Sequence, residues 1–536
     1  MADTAVTAVV QRAAHVLLLP PTLLSAYQSR RAYTKGVSPS RRLAAALILL
    51  LAVPVQAAEV RDVLGSAHVA GRYSFSGEDF LNEGADRLLE LGTRVIKVWF
   101  QLDASSAYPF NSDWGTPAAD LAELARKPYY RRLFDKPFST YILVISSSST
   151  TGSSQWLDGM TPEEVEAERE HVYRLARHLL VAYAGTGKTF VLQNWEGDHL
   201  LRQGLAGGDP DPVRIQGMID WWNARQDGVE QARREIGLRD VMVAHAAEVN
   251  LLAQAMEGKI TATNDVVPFT QADLYSYSSW DAGFDRQRLT QALEYLQSKA
   301  PDSELFGERN IYLGEFGAVQ DQVGEGVNLR KRIQGLADAA LGWGVRWAVF
   351  WQLYCNEPKH EYEGRPRISD MRGFWLIRPD GSRTASWEHF QRRMPLVRHM
   401  ARFSISTGQL VSAGDGGNTA VVADRWRPEP FTQFALNDLN GWPLRHGDKV
   451  TLQAHNGFYL TATNGAVHAR SSEVRGDEVF QVWKVGGGGT IRGGDPVAFQ
   501  ARSGRYLVAE PGTLEITATR WAIGPAETFR LMLLRD

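Results

Sequence analysis

Between about residue 60 and residue 400 the chain alternates short apolar runs with stretches whose apolar positions recur every three to four residues. The short runs predict strands at Arg94–Phe100, Thr140–Ser146, Phe190–Glu196, Val241–Ala247, Leu274–Ser278, Ile311–Glu315 and Trp347–Trp351, with a first strand within Gly65–Ser76. The longer period predicts helices at Phe80–Leu91, Thr161–Ala184, Ile215–Glu235 and Asp285–Lys299. The second of these opens with Thr161-Pro162-Glu163-Glu164, a hydroxyl cap followed by proline in the first turn. Strands and helices in strict alternation over some 340 residues predict an α/β fold of the (β/α)8 TIM barrel type with long insertions. A doubly wound sheet would need a glycine-rich phosphate loop after its first strand. The one such string, Ala184-Gly185-Thr186-Gly187-Lys188-Thr189, precedes a strand and reads as a helix-to-strand turn.

Past residue 400 the pattern becomes glycine-rich and strand-like, and it repeats. Phe434, Phe480 and Phe529 close three similar segments, 46 and 49 residues apart. Inside the units Val450-Thr451-Leu452-Gln453-Ala454-His455-Asn456-Gly457-Phe458-Tyr459-Leu460 is echoed by Val497-Ala498-Phe499-Gln500-Ala501-Arg502-Ser503-Gly504-Arg505-Tyr506-Leu507, and more faintly by Gly408-Gln409-Leu410-Val411. Three units of short strands, each with an aromatic for the core, resemble a β-trefoil of the fascin-like kind over residues 401–536. The predicted division is an N-terminal extension and signal peptide (1–57), a barrel (58–400) and this all-β domain (401–536).

The N-terminal segment changes the picture of where the protein works. Arg41-Arg42, an apolar run from Leu43 to Val53, then Pro54 and Val55-Gln56-Ala57 have the order of a secretory signal cleaved after Ala57. The run is shorter than a bilayer-spanning helix needs, so the expectation is a secreted or periplasmic protein with no stable membrane insertion once the signal is removed. With 58 basic and 61 acidic residues the net charge is −3, and no nucleic-acid partner is expected. The single cysteine, Cys355, excludes an intramolecular disulfide and makes a cysteine zinc site implausible, so no metal or cofactor is expected. Sixteen tryptophans suit flat sugar faces as well as ordinary cores. Nothing in the sequence speaks to oligomeric state.

Candidate chemistry gathers at two glutamates. Asn310-Ile311-Tyr312-Leu313-Gly314-Glu315-Phe316-Gly317 and Thr189-Phe190-Val191-Leu192-Gln193-Asn194-Trp195-Glu196-Gly197 both run from an apolar strand to a carboxylate beside glycine. An unpaired buried carboxylate costs several kcal/mol, so each points to a polar cleft. Counted along the barrel, Glu196 ends the fourth strand and Glu315 the seventh, where strand-end carboxylates converge. This placement, with Tyr275-Ser276-Tyr277, Trp347-Ala348-Val349-Phe350-Trp351-Gln352 and Arg378-Pro379-Asp380-Gly381, resembles clan A glycoside hydrolases of cellulase-like kind.

The resemblance implies a retaining glycosidase acting on β-glycosidic bonds of a poly- or oligosaccharide, with Glu196 as acid/base and Glu315 as nucleophile. It further implies that Tyr277 hydrogen-bonds the nucleophile and that Trp351 forms the floor under a sugar. Two departures stand out. Trp195 separates Asn194 from the acid/base where the family has the two adjacent; by a period of two Asn194 and Glu196 share a strand face, from which Asn194 could reach a sugar hydroxyl. Lys97 stands on strand two where the family carries Arg, keeping the charge without the bidentate fork. Trp195 and His245 complete the expected substrate-side set, although a satisfied core histidine is the ordinary reading of His245. Glu248 and Asn250 on strand five, and Asp198 and His199 after strand four, are lesser candidates. The alternatives are a carbohydrate-binding protein on an inactive barrel and a scaffold whose trefoil binds a protein.

Overall fold

A computed structural model describes residues 58–146, 155–237, 240–324, 326–394, 397–414, 419–439, 443–471 and 474–534. The signal-peptide expectation, which falls on residues 1–57, lies outside the described residues.

Eight parallel strands close into a barrel: β1 (Leu64–His68), β2 (Val95–Phe100), β3 (Thr140–Ile145), β4 (Thr189–Gln193), β5 (Met242–Val249), β6 (Leu274–Ser278), β7 (Ile311–Phe316) and β8 (Ala348–Phe350), with β8 pairing back onto β1. Helices α1 (Phe80–Leu91), α2 (Pro162–Ala182), α3 (Pro212–Ile236), α4 (Arg286–Lys299) and α5 (Val327–Trp343) lie among the crossovers. The Thr161 hydroxyl and Glu164 carboxylate cap α2 reciprocally, satisfying donors its first turn leaves open. Helix α5 is not among those expected from the sequence. Its buried face is built from Gly335, Ala337, Ala339, Ala340 and Gly342 among a few larger residues, which gives weak hydrophobic contrast along the chain.

Several strand ends differ from expectation by a residue or more, and those of β4 and β7 matter for the site. Strand β4 stops at Gln193, so Glu196 lies beyond it, and the face-sharing expected of Asn194 and Glu196 does not apply. Strand β7 runs one residue past the expected Glu315, to Phe316, and bulges at Gly314: Tyr277 pairs with Leu313 while Ser278 pairs with Glu315, and on the other side Leu313 and Phe316 pair with Ala348 and Phe350. One extra residue in β7 re-aims the next side chain.

Twelve antiparallel strands follow among the described residues: β9 (Val397–Ser404), β10 (Leu410–Ala413), β11 (Thr419–Arg425), β12 (Phe434–Asp438), β13 (Lys449–Ala454), β14 (Tyr459–Thr463), β15 (Ala466–Ser471), β16 (Val479–Lys484), β17 (Pro496–Gln500), β18 (Tyr506–Ala509), β19 (Ile516–Arg520) and β20 (Phe529–Leu533). Strands β9, β12, β13, β16, β17 and β20 pair in that order and β20 returns to β9. The remaining six form three hairpins, β10–β11, β14–β15 and β18–β19. Phe434, Phe480 and Phe529 are all buried in the one apolar core these strands enclose. A two-residue strand, Ala58–Glu59, pairs with the start of β9, so the chain just before the barrel is tied to the sheet after it.

The two parts share a packed seam. The turn after β13 sits on α4 and α5: Arg286 lies over the Phe458 ring at 4.3 Å and donates to the Gly457 carbonyl. His455 lies 3.2 Å from Glu294, and a Cβ on Gly457 would come within 2.5 Å of the Ala339 backbone.

Candidate active site

Four carboxylate and ammonium side chains meet inside the barrel. The Lys97 Nζ on β2 lies 2.9 Å from a Glu315 oxygen and 3.1 Å from a Glu248 oxygen, and it also donates to the Gly314 carbonyl. Lys97, Glu248 and Glu315 are almost wholly removed from solvent. Burial pulls the Lys97 ammonium down, but the two carboxylates outweigh it and hold it above its ordinary range. Glu248 on β5 is fixed from several directions, since Ser276 Oγ, Lys97 Nζ and the Glu196 N–H all donate to it.

The bulge at Gly314 makes this packing possible. A Cβ there would lie 2.0 Å from Ser276 Oγ and 2.3 Å from a Glu248 oxygen, so only glycine lets β7 pass while Glu315 turns inward. Besides Lys97, Trp280 Nε1 donates to Glu315 at 3.1 Å and Ser278 Oγ lies 3.2 Å away. Burial raises the Glu315 pKa, and Lys97 counters that rise.

Glu196 approaches from the other side. It adopts φ +26°, a left-handed conformation costly for a glutamate, at the entrance to the short helix Gly197–Leu201. Buried Asp198 holds that bend: its carboxylate accepts from the N–H groups of Asn250, Leu251 and Ala262, while Asn250 Oδ1 accepts from those of Asp198 and His199. The Glu196 carboxyl meets Ser278 Oγ at 2.8 Å. Burial first, then the charge of Glu315, pushes its pKa up to about 8. Ser278 therefore bridges the two glutamates, and the oxygens it touches are no more than about 6 Å apart.

Of the residues singled out from sequence, Glu196, Glu315 and Lys97 come together. Asn194 does not face the cleft: its amide donates to the Glu248 carbonyl and accepts from the Glu248 N–H, clamping β4 to β5. Tyr277, expected on Glu315, donates to Asp281 instead; β6 turns Ser276 and Ser278 to the carboxylates and Tyr275 and Tyr277 away. His245 is buried where Arg225 and Arg233 of α3 are the charges that act on it, and it is not part of the cluster. Trp195 is half-buried beside Glu196, its ring 5.0 Å from His199, and Trp351 follows β8 almost fully buried. Glu248, a lesser candidate by sequence, is at the centre of the cluster, and Ser278 and Trp280 join it with no motif to mark them. Among the described residues no group of three or more His, Cys, Asp or Glu side chains could hold a metal ion.

No protein-family model matches the sequence, and no curated protein matches it. Among solved structures the chain is similar to a GH5_18 protein from Streptomyces cattleya in complex with GlcNAc, at 13% identity over 63% of this chain and 80% of that one, with a TM-score of 0.42. It is similar to a family 39 glycoside hydrolase from Bacteroides cellulosilyticus, at 12% identity over 76% and 79% of the two chains, with a TM-score of 0.38. An SDF2-like protein from Arabidopsis thaliana aligns at 10% identity with 25% of this chain and 92% of its own, with a TM-score of 0.22.

Proposed function

We propose that this protein is an exported retaining glycoside hydrolase that cleaves β-glycosidic bonds by double displacement, and that its C-terminal part is a β-trefoil of the fascin-like kind. The observation that carries the catalytic reading is the Ser278 bridge. The two carboxyl oxygens it touches lie within about 6 Å of each other, which supports the closer carboxyl spacing of retaining enzymes and suits attack and protonation on opposite sides of one bond. Their surroundings are unequal. Glu315 receives a charged donor and an indole N–H, as a carboxylate nucleophile requires, whereas Glu196 is bonded to the neutral Ser278 hydroxyl, and burial with the Glu315 charge holds its proton near neutral pH. In the reaction Glu315 attacks the anomeric carbon, the Glu196 proton passes to the departing oxygen, and the same carboxylate then draws a proton from the water that releases the sugar. Glu248 and Glu315 against one Lys97 leave the cleft net negative, which favours a transition state with positive charge on the sugar ring. The trefoil reading is supported by the ring of six strands, the three hairpins and the shared phenylalanine core.

Glu315→Gln should abolish turnover of every glycoside. Glu196→Gln should spare substrates with good leaving groups and accumulate a glycosyl-enzyme that azide releases. Parallel rates on aryl and natural glycosides, with the first-formed anomer followed by NMR, test this. An inverted product, or a Glu315→Gln enzyme near wild-type rate, removes the mechanism; absence of any hydrolysis by the wild type leaves a carbohydrate-binding barrel.

A further inference from the structure

The all-β domain exposes two tryptophans in matching places. Trp426 and Trp521 are each 68% exposed, and they are the exposed tryptophans among the described residues. Each immediately follows the second strand of a hairpin, β11 or β19, and each stands eight residues before a core phenylalanine, Phe434 or Phe529. Each indole also lies over an equivalent turn. Leu410, Tyr459 and Tyr506 pair with Ser404, Gln453 and Gln500 in the same register, which makes Gly408, Gly457 and Gly504 equivalent. The Cζ3 edge of Trp426 lies 3.7 Å from where a Cβ on Gly408 would be, and that of Trp521 lies 3.5 Å from the corresponding point on Gly504. In the middle unit the equivalent turn at Gly457 is packed on α5, and the residue eight before Phe480 is Ser472. An indole therefore stands wherever the turn is free of the barrel, and none where the barrel covers it.

Leaving two large rings in water sacrifices the apolar burial each could contribute to the fold, so their shared position calls for a ligand. The surroundings select its kind. Arginines fringe both rings: Arg425 and Arg427 flank Trp426 in sequence, and Arg505 lies over Trp521 at 4.9 Å with Arg520 next in sequence. A protein partner or a second copy would bury a wide apolar patch with few charges at its centre, whereas each of these rings is fringed by guanidiniums. A pyranose needs only one flat apolar surface for its C–H face, with donors around it for its hydroxyls. A cleft of about 660 Å³ also runs between the Gly408 turn and the loop after Trp521. Ile405, Ile523 and Pro525 line it with Ser406, Thr528 and Arg530, a mixture of apolar and hydrogen-bonding groups suited to a sugar chain.

We propose that Trp426 and Trp521 are the stacking platforms of a second, non-catalytic glycan-binding surface, which holds a polysaccharide while the barrel acts on it. The choice of a glycan rests on the glycoside hydrolase reading; the existence of a paired site rests on the matched tryptophans.

The test uses the full chain carrying Glu315→Gln, so that binding is measured without hydrolysis, and insoluble cellulose, chitin, mannan and xylan as probes. Depletion isotherms should show binding to at least one polymer, weakened about tenfold by Trp426→Ala or Trp521→Ala and lost in the double variant. With Glu315 intact, the double variant should hydrolyse short aryl glycosides at the wild-type rate. Polymer binding that survives the double substitution overturns the proposal, as does a wild type that hydrolyses soluble glycosides but binds none of the polymers. A dimer in light scattering that the double variant dissolves also overturns it, in favour of a self-association surface. Tryptophan-dependent binding without any hydrolysis would sustain the paired site and remove the enzymatic reading instead.

Discussion

Ser278 Oγ carries one proton and lies 2.8 Å from a Glu196 oxygen and 3.2 Å from a Glu315 oxygen, so it donates to one carboxyl at a time, with the shorter contact to Glu196. Burial and the Glu315 charge push Glu196 up to about 8, whereas Lys97 counters the rise at Glu315, so Glu196 is the carboxyl that keeps its proton. The pH dependence follows from this difference. Catalysis needs the Glu196 proton, so kcat/KM should fall as pH rises through about 8. It should fall again on the acid side as Glu315 takes up a proton, above the ordinary carboxylate range because burial raises that group too. Glu196→Gln should abolish the alkaline limb on activated glycosides. Stability moves with the same sign. A carboxyl whose folded pKa is raised loses its contribution as pH climbs from its unfolded value towards about 8, so Glu196→Gln should match wild-type Tm near pH 4 and exceed it near pH 8. An alkaline limb left unmoved by Glu196→Gln would exclude it as the acid. The glutamates and Lys97 were legible because a charged side chain in an apolar strand is too costly to bury without a partner or a task. Ser278 was not: alternation along β6 offers tyrosines on one face and serines on the other, and aromatic residues are the louder signal.

At the scale of the element, most barrel strands were legible to within two residues, because a parallel strand covered on both faces is a continuous apolar run; β1 was placed only within Gly65–Ser76, and β4 ends three residues before the expected Glu196. What period alone could not give was the local departure that makes the site. In sequence Gly314 is one residue of a predicted strand, yet in the fold it is a bulge that lets Ser276 and Glu248 occupy the space of a side chain. Gly314→Ala is therefore expected to do more than a surface glycine change. The new methyl must displace Ser276 or Glu248, with Lys97 following, at a cost of about 1–3 kcal/mol and roughly a hundredfold in kcat/KM. Thermal melts with kinetics on one aryl glycoside check it. A variant indistinguishable from wild type in both would mean that β7 does not bulge in this way.

At the scale of the whole molecule, the repeat of phenylalanines at near-equal spacing was enough to gather Phe434, Phe480 and Phe529 into one core, but the repeat hid which of its turns meets the barrel. The three turns look alike in sequence, and only the middle one carries the partners: Gly457 against Ala339, Phe458 under Arg286, His455 beside Glu294 and Tyr459 bonded to Arg393. Small residues on α5 create the fit. A Cβ on Gly342 would crowd the Ala454 carbonyl at 2.9 Å, and Arg398 reaches from β9 to the Leu341 carbonyl at 2.7 Å. A seam of this closeness should make barrel and all-β domain unfold as one unit, since neither face is solvated in the native state. Gly457→Val tests the coupling, because valine both clashes with α5 and resists the φ of +79° at that turn. Calorimetry should show one transition for the wild type and two for the variant, with the all-β domain melting first and rates on soluble glycosides at low temperature nearly unchanged. A single, unshifted transition in Gly457→Val would mean that the seam contributes little to holding the two parts together.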